Sequence, residues 1–428
     1  MVANVLPEGD LDQESRDRES SGRAWRMLAL LSLAQLLGMS MWFAASAASP
    51  HFRSAWDLSV AQAGWLTTAV QLGFVAGTIV AAVFNLADLI PGRRYLAACA
   101  LLAAAANAGL LVVGEFGTAL ALRFATGFFL AGVYPPGMKM VATWFRARRG
   151  FAIGTMVGAL TVGNASPYLV DAIGGADPRF VVWSTSGGAV VAALMVAIGY
   201  RDGPYAFDRR PFSWGLVGTV LRHREWRLTT GGYLGHMWEL YAFWTWVATF
   251  LAASSASRAG VPWTGGYSTT VKLAAFAAIA IGGLGCVWGG VVADRIGRER
   301  FAIRALLVSG TCSLLAGLFF GASALVLVPL VLVWGYFVIA DSAQFSALVT
   351  EVSPSHAVGT ALTVQVALGF LLTMLTIQIV PAIAEAAGWR WAFPLLVAGP
   401  SFGIWAMRTL MRARGQTSEL VRSASAGP

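Results

Sequence analysis

Six ionisable residues stand inside otherwise apolar stretches of the chain: Arg123, Lys139, His236, Glu239, Lys272 and Asp341. Their types suit proton exchange and charge pairing. His236 and Glu239 are three residues apart, and with Phe243 and Trp246 they form one helical stripe within about 80° of arc. An imidazole and a carboxyl one turn apart fit a site that takes up and releases a proton. The plainer reading is a fixed hydrogen bond that supports the fold. Asp341, with Gln344 three residues on, is a second proton-site candidate. Arg123 and Lys272 are placed either to hold an anionic solute or to pair with Glu239 and Asp341. Both lysines of the chain fall in apolar stretches, whereas arginine is the cation used elsewhere. That choice points to a compact, titratable ammonium, although Lys139 lies near enough to a span end to snorkel. Tyr134, Trp238 and Gln344 complete the candidate solute contacts. Trp42, Phe43, Tyr241 and Trp244 are further candidates for lining a cavity, although aromatics at helical spacing more often serve packing.

These groups are costly where they stand. A charge at a bilayer centre costs about 2.5–3.5 kcal/mol on insertion scales. Five charges facing lipid would cost about 12–18 kcal/mol, which rivals the whole stability of a typical fold. The groups must therefore face a wet cavity or pair with one another.

The surrounding elements are membrane spans. The chain has 428 residues, 57% hydrophobic and 12% charged, against about 25% charged in soluble domains. A soluble domain and a disordered chain are excluded. A β-barrel is disfavoured, since its strands alternate and give no twenty-residue apolar blocks. At about 20 residues per helix, the apolar content fills about twelve spans. Apolar blocks run at about 25–49, 60–86, 94–113, 117–145, 149–174 and 178–200. Six more follow at about 228–253, 265–292, 301–321, 323–350, 356–385 and 390–412. This predicts an all-α polytopic membrane protein with two six-helix halves, 25–200 and 228–412. A cytoplasmic linker, 201–227, joins them, with a short interfacial helix from Trp214 to about Trp226. Residues 1–24 read as a disordered cytoplasmic tail, and 413–428 as a second cytoplasmic tail.

Arginine placement sets the orientation. With both termini in the cytoplasm, twenty-three arginines fall on the inner face, against Arg53, Arg179, Arg258 and Arg390 outside. The same bias accounts for the net charge of +9 without a nucleic-acid partner. Acidic residues from Glu8 to Glu19 and the lack of an apolar core there argue against a signal peptide. Cys99, Cys286 and Cys312 sit in separate apolar blocks and read as buried thiols. His51, His223, His236 and His356 show no metal-ligand spacing, and no P-loop is present. No cofactor and no enzymatic site are expected.

The loop between spans eight and nine carries the most specific motif: Gly290-Val-Val-Ala-Asp294-Arg295-Ile-Gly297-Arg298-Glu-Arg300. It resembles the G-x-x-x-D-R-x-G-R-x-R signature of the major facilitator superfamily. A degraded copy between spans two and three holds Asp88, Gly92, Arg93 and Arg94, with Leu89 where Arg is usual. Arg123 and Gly127 are similar to the family's R-x-x-x-G pattern in span four. The resemblance covers about residues 25–412. It implies two pseudo-symmetric halves, with spans one, four, seven and ten lining a central cavity and three, six, nine and twelve facing outward. It also implies a conformational latch built from Asp88, Arg93, Gly290, Asp294, Arg295, Gly297 and Arg298. Asp294 stands at the negative end of a helix and needs partners, such as a neighbouring helix N-terminus or Arg298. Gly150, Gly154 and Gly158 match the spacing of the drug-antiporter motif, but Ala159 replaces its Pro.

The resulting expectation is a monomeric secondary active transporter of the cell inner membrane, a symporter moving a small polar solute with protons. An organic or inorganic anion is favoured by the intramembrane cations. A proton-coupled exporter of drugs or metabolites, and a non-transporting sensor on a transporter fold, are the alternatives.

Overall fold

The computed structural model describes residues 8–145, 148–174, 177–205, 212–354 and 356–425. Among these residues no strand occurs. Helices occupy all twelve expected positions. The first half holds Glu8–Met39 continued by a 3-10 turn at Ser40–Phe43 (span one), Val60–Val83 (two), Gly92–Ala108 (three), Phe116–Leu130 with Tyr134–Ala142 (four), Arg149–Ile173 (five) and Pro178–Gly199 (six). The second half holds Arg224–Arg258 (seven), Thr269–Ala280 with Gly282–Ile296 (eight), Arg298–Leu318 (nine), Ala324–Ala340 with Ser342–Val352 (ten), Val358–Ala387 (eleven) and Ala398–Ser425 (twelve). Nine of these stretches, among the described residues, are long and apolar enough to cross a membrane. Spans five, seven and twelve have 25, 35 and 28 residues. At about 1.5 Å per residue each exceeds a hydrocarbon core of about 30 Å.

Three boundaries differ from the sequence reading. The acidic stretch expected as a disordered tail is helical from Glu8. No proline interrupts 8–39, so nothing in the backbone breaks the helix there. The interfacial helix of the linker stops at Arg222, because His223 turns the chain and caps the next helix. Trp226 then belongs to span seven, where its indole donates to the Ala361 carbonyl at 3.3 Å. Span twelve runs on to Ser425, past its expected end.

Spans one, four, eight and ten are broken along their length, span eight at Ile281. In span four the second helix starts at Tyr134 with prolines in its first turn, where a missing N–H does least harm. Span one tightens into its 3-10 turn after Met39, and span ten breaks at Asp341. Each break frees carbonyls that need donors.

The halves meet along two seams. On one, span two lies against span eleven: the rings of Phe74 and Phe370 are 4.7 Å apart, and Gln378 Nε2 donates to Thr68 Oγ1 at 2.9 Å. On the other, span five crosses span eight at Gly158 and Gly283. A Cβ on either glycine would meet the other's carbonyl oxygen at 2.7–2.8 Å. Only residues without a side chain allow this approach. Trp183, Leu194, Ile198, Leu314, Leu318 and Trp405 are exposed on spans six, nine and twelve, a lipid-facing belt where the resemblance implied one.

Candidate functional site

Glu239 is buried in the second half between spans seven, nine and ten. Ser309 Oγ donates to its Oε2 at 2.8 Å, and the Trp334 indole donates to its Oε1 at 2.7 Å. Phe243, one turn on, stacks at 4.4 Å against the Trp334 ring. Both donors are neutral, and no ion pair involves Glu239 among the described residues. One turn toward the arginine-rich face, His236 Nδ1 lies 2.8 Å from Asp341 Oδ1. That contact is close but misaligned, so both nitrogens and both carboxyl oxygens lack a hydrogen-bond partner among the described residues. Tyr233 and Phe345 flank the imidazole at 6.1 and 5.7 Å. The break in span ten is what brings Asp341 to this position.

Arg123 is fully buried in the first half. Its Nη1 donates to the Met41 carbonyl and to Asn107 Oδ1, both at 3.0 Å. Nη2 donates to the Trp42 carbonyl, and Nε to the Leu66 carbonyl at 3.3 Å. It therefore collects carbonyls freed at the break of span one. Gln35 does the same for span four, donating to the Val133 carbonyl at 2.8 Å. Arg123 pairs with neither Glu239 nor Asp341.

Lys272 takes a partner that the sequence reading overlooked. Its Nζ lies 2.8 Å from Asp171 Oδ2, with both side chains buried. Asp171 is three residues from the end of span five, where it passed for a loop group. The pair bridges the two halves on the arginine-poor side. Arg53 stands nearby on the Trp263 ring, 5.2 Å from its centroid, a second link between halves on that side.

The other candidates divide. Tyr134 sits at the break of span four, within electrostatic reach of Tyr233 and Tyr241. Trp238 packs on Gly399 of span twelve, away from the first half. Gln344 belongs to the loop motif: its Oε1 accepts from Arg298 Nη1 at 2.8 Å. Arg298 also donates to Glu351 at 2.8 Å and lies 3.4 Å from Asp294 Oδ1. Asp294 Oδ2 is 3.7 Å from where a Cβ on Gly150 would stand, at the first turn of span five. Asp294 thus has Arg298 beside it and a positive helix end near it. Gly290 faces the Gly150 carbonyl. Gly297 has φ 93°, a backbone that excludes side chains. Arg295 is exposed, Arg93 lies in the first turn of span three, and the Asp88 side chain lies outside the described residues.

Ser309 and Trp334 were invisible beforehand, since nothing marks a neutral residue as a carboxyl's partner until the helices are packed. Among the described residues no three His, Cys, Asp or Glu side chains come together to hold a metal ion.

Apolar crossing helices in two halves, with ionisable groups matched inside them, define a multi-pass membrane transporter rather than an enzyme. The chain belongs to the Major Facilitator Superfamily, whose model matches residues 31–377. Among curated proteins no sequence matches. Among solved structures, a bacterial homologue of the human lysosomal transporter Spinster, inward-facing and occupied, aligns with TM-score 0.66 and 15% identity over 90% of this chain and 96% of that one. Its unoccupied form gives 0.68 and 16% over 91% and 98%. A point mutant of the nucleoside transporter NupG gives 0.66 and 14% over 90% and 99%. At these identities the likeness is one of fold.

Proposed function

We propose that the protein is a proton-coupled secondary transporter, carrying a small polar solute across a cell inner membrane by alternating access. Both termini are cytoplasmic and the working unit is a monomer. Glu239 is the proton carrier, and the His236–Asp341 pair is its relay toward the arginine-rich face. The loop motif around Asp294 latches the halves by holding span eight to span five.

One observation carries the proton role. Ser309 Oγ has one hydrogen and two acceptors in reach, Glu239 Oε2 at 2.8 Å and the Leu306 carbonyl at 3.3 Å. With Glu239 ionised, the hydroxyl points to the carboxylate. With Glu239 protonated, the acid donates to Ser309 and the hydroxyl turns to Leu306. Either state is hydrogen-bonded, so a proton can come and go without orphaning a buried group. No cation among the described residues pins the anionic form.

The cations that favoured an anionic solute have other partners, Arg123 in backbone carbonyls and Lys272 in Asp171. That support for an anion falls away. Infrared difference spectra of the purified protein, titrated with acid, test the carrier. A carboxylic C=O band appears on acidification, vanishes in Glu239→Gln and shifts in Trp334→Phe. Identical spectra from Glu239→Gln and the parent chain rule the carrier out.

A further inference from the structure

Resting on the transport reading above, we propose that the solute is an uncharged, ring-bearing molecule with both donors and acceptors. It is held at the seam between the halves by Gln71, Asn164, Tyr168, Trp42 and Trp244.

The five side chains are fully buried. Seven of their polar atoms have no hydrogen-bond partner among the described residues: both amide atoms of Gln71, both of Asn164, the two indole nitrogens and the Tyr168 hydroxyl. Buried amides and indoles are normally bonded, because leaving them unpaired forfeits their hydration with nothing in return. Seven such atoms on the surfaces where the two halves meet point to a partner from outside the chain.

All five lie on the surfaces that the halves present to each other. On span two, Thr68 bonds Gln378 and Phe74 packs on Phe370, whereas Gly73 is turned to the backbone of span four. At 100° per residue Gln71 falls midway between Thr68 and Phe74, about 60° from each. On span five, Gly158 and Asp171 both touch span eight. Pro167 interrupts span five, so each residue is placed from its own side of it. Asn164 lies one turn after Thr161, whose methyl would meet a Cβ on Gly282 of span eight, and Tyr168 lies one turn before Asp171, each about 60° round. Gly163 is turned instead to span one. Between these two helices, the 3-10 turn of span one sets Trp42 5.8 Å from Tyr241 and Phe43 6.0 Å from Trp244, both on span seven. The Phe74 and Phe370 rings complete a cluster around Trp42 at 5.0 and 5.7 Å.

The chemistry follows from this inventory. Amide N–H, indole N–H and phenol O–H groups donate, while amide and phenol oxygens accept. Aromatic faces suit a flat ring. None of the five carries a formal charge; Arg123, Lys272, Asp171 and Glu239 are matched by protein groups, and His236 and Asp341 face each other at 2.8 Å. A charged solute would enter this seam without a counter-ion, at a steep desolvation cost.

Thermal unfolding of the purified full chain in detergent tests the site. Uridine, glucose and nicotinamide serve as uncharged ring-bearing probes, with succinate, inorganic phosphate and choline as charged ones. At least one uncharged probe raises Tm, and Gln71→Leu and Asn164→Leu each abolish that rise. Without ligand both variants unfold at or above the parent temperature, since each loses an unpaired buried amide. Three results overturn the proposal: no rise with any uncharged probe, a rise that survives both substitutions, or a ligand-free Tm below the parent's in both. Uptake of the stabilising probe into proteoliposomes is read separately. Binding without uptake defeats the transport reading and leaves the site standing, whereas uptake of a charged probe alone does the reverse.

Discussion

Arg123 and Glu239 are both fully buried, one in each half, yet they are held in opposite ways. Arg123 gives its hydrogens to three backbone carbonyls and one amide. Those acceptors belong to the fold and cannot be exchanged. Glu239 rests on a hydroxyl and an indole, and the hydroxyl can reverse its role. The first is a permanent cation filling a break in a helix. The second is an acid whose surroundings accept either protonation state. Cost at insertion is therefore a poor guide to mobility: both groups are expensive, and only one rests on a partner that can reverse its role.

The largest effect expected from breaking that contrast is at Arg123. Arg123→Leu removes the donor to the Trp42 carbonyl and to the Asn107 amide oxygen and one of two donors to the Met41 carbonyl, at about 1–3 kcal/mol for each buried acceptor left unpaired. Detergent thermal melts should show severe destabilisation or loss of folded protein. Glu239→Gln keeps shape and acceptor, so it should fold with Tm near the parent's. A stable Arg123→Leu that loses only transport would move Arg123 from the frame to the solute.

Next is Lys272. Lys272→Met leaves the Asp171 carboxylate buried without its cation, and breaking such a pair costs about 3–5 kcal/mol. The double variant Lys272→Met/Asp171→Leu should recover most of that loss. Because the pair bridges the halves on the arginine-poor side, the double variant should also open that side more readily. Faster labelling of a cysteine placed at Ala63, buried in the first turn of span two, reads this out. Unchanged labelling would make the pair a static prop.

How much of this was legible in the sequence depends on whether a group is defined along one helix or between several. Span positions followed from apolar blocks of crossing length. The break of span four is written in Pro135 and Pro136, which lack the N–H a helix needs. Gly297 and the Asp294–Arg298 neighbourhood followed from motif spacing, since those contacts are local. The partners of Glu239 are 70 and 95 residues away, that of Lys272 is 101 and those of Arg123 up to 82, and no helical period encodes them. Gln71 and Asn164 stood out least, because an amide inside a span is unremarkable until the fold leaves it without a partner. The linker helix was misjudged at its end because Trp226 reads equally well as interfacial or buried.

A smaller effect is expected at Gly297. Its φ of 93° and ψ of 141° end span eight, in a region close to that which only glycine occupies freely. Gly297→Ala should cost about 1–3 kcal/mol and slow the exchange between conformations if the loop is a latch. A melt shift with unchanged exchange kinetics would assign the glycine to folding alone.

The smallest effect sits at the arginine-rich surface. Arg414 lies 2.6 Å from Glu299, 3.6 Å from Glu351 and 3.8 Å from Glu225, tying the extension of span twelve to spans seven, nine and ten. Partial burial pulls its guanidinium down, but the three glutamates outweigh that and hold it above its ordinary range. A base held higher in the folded state stabilises below its unfolded pKa and loses that contribution only as pH rises through the folded value. Both lie far above neutrality, so the arginine's own titration removes nothing between mildly acid and mildly alkaline pH. Salt, in contrast, should act, because these side chains remain partly exposed and their attraction is screened over about 8–10 Å at ordinary ionic strength. Arg414→Ala should cost about 1 kcal/mol or less, with the difference shrinking as salt is raised. A larger, salt-insensitive loss would mean that the surface network is held as rigidly as Arg123, and the contrast between the fixed and the exchangeable charges would have to be redrawn.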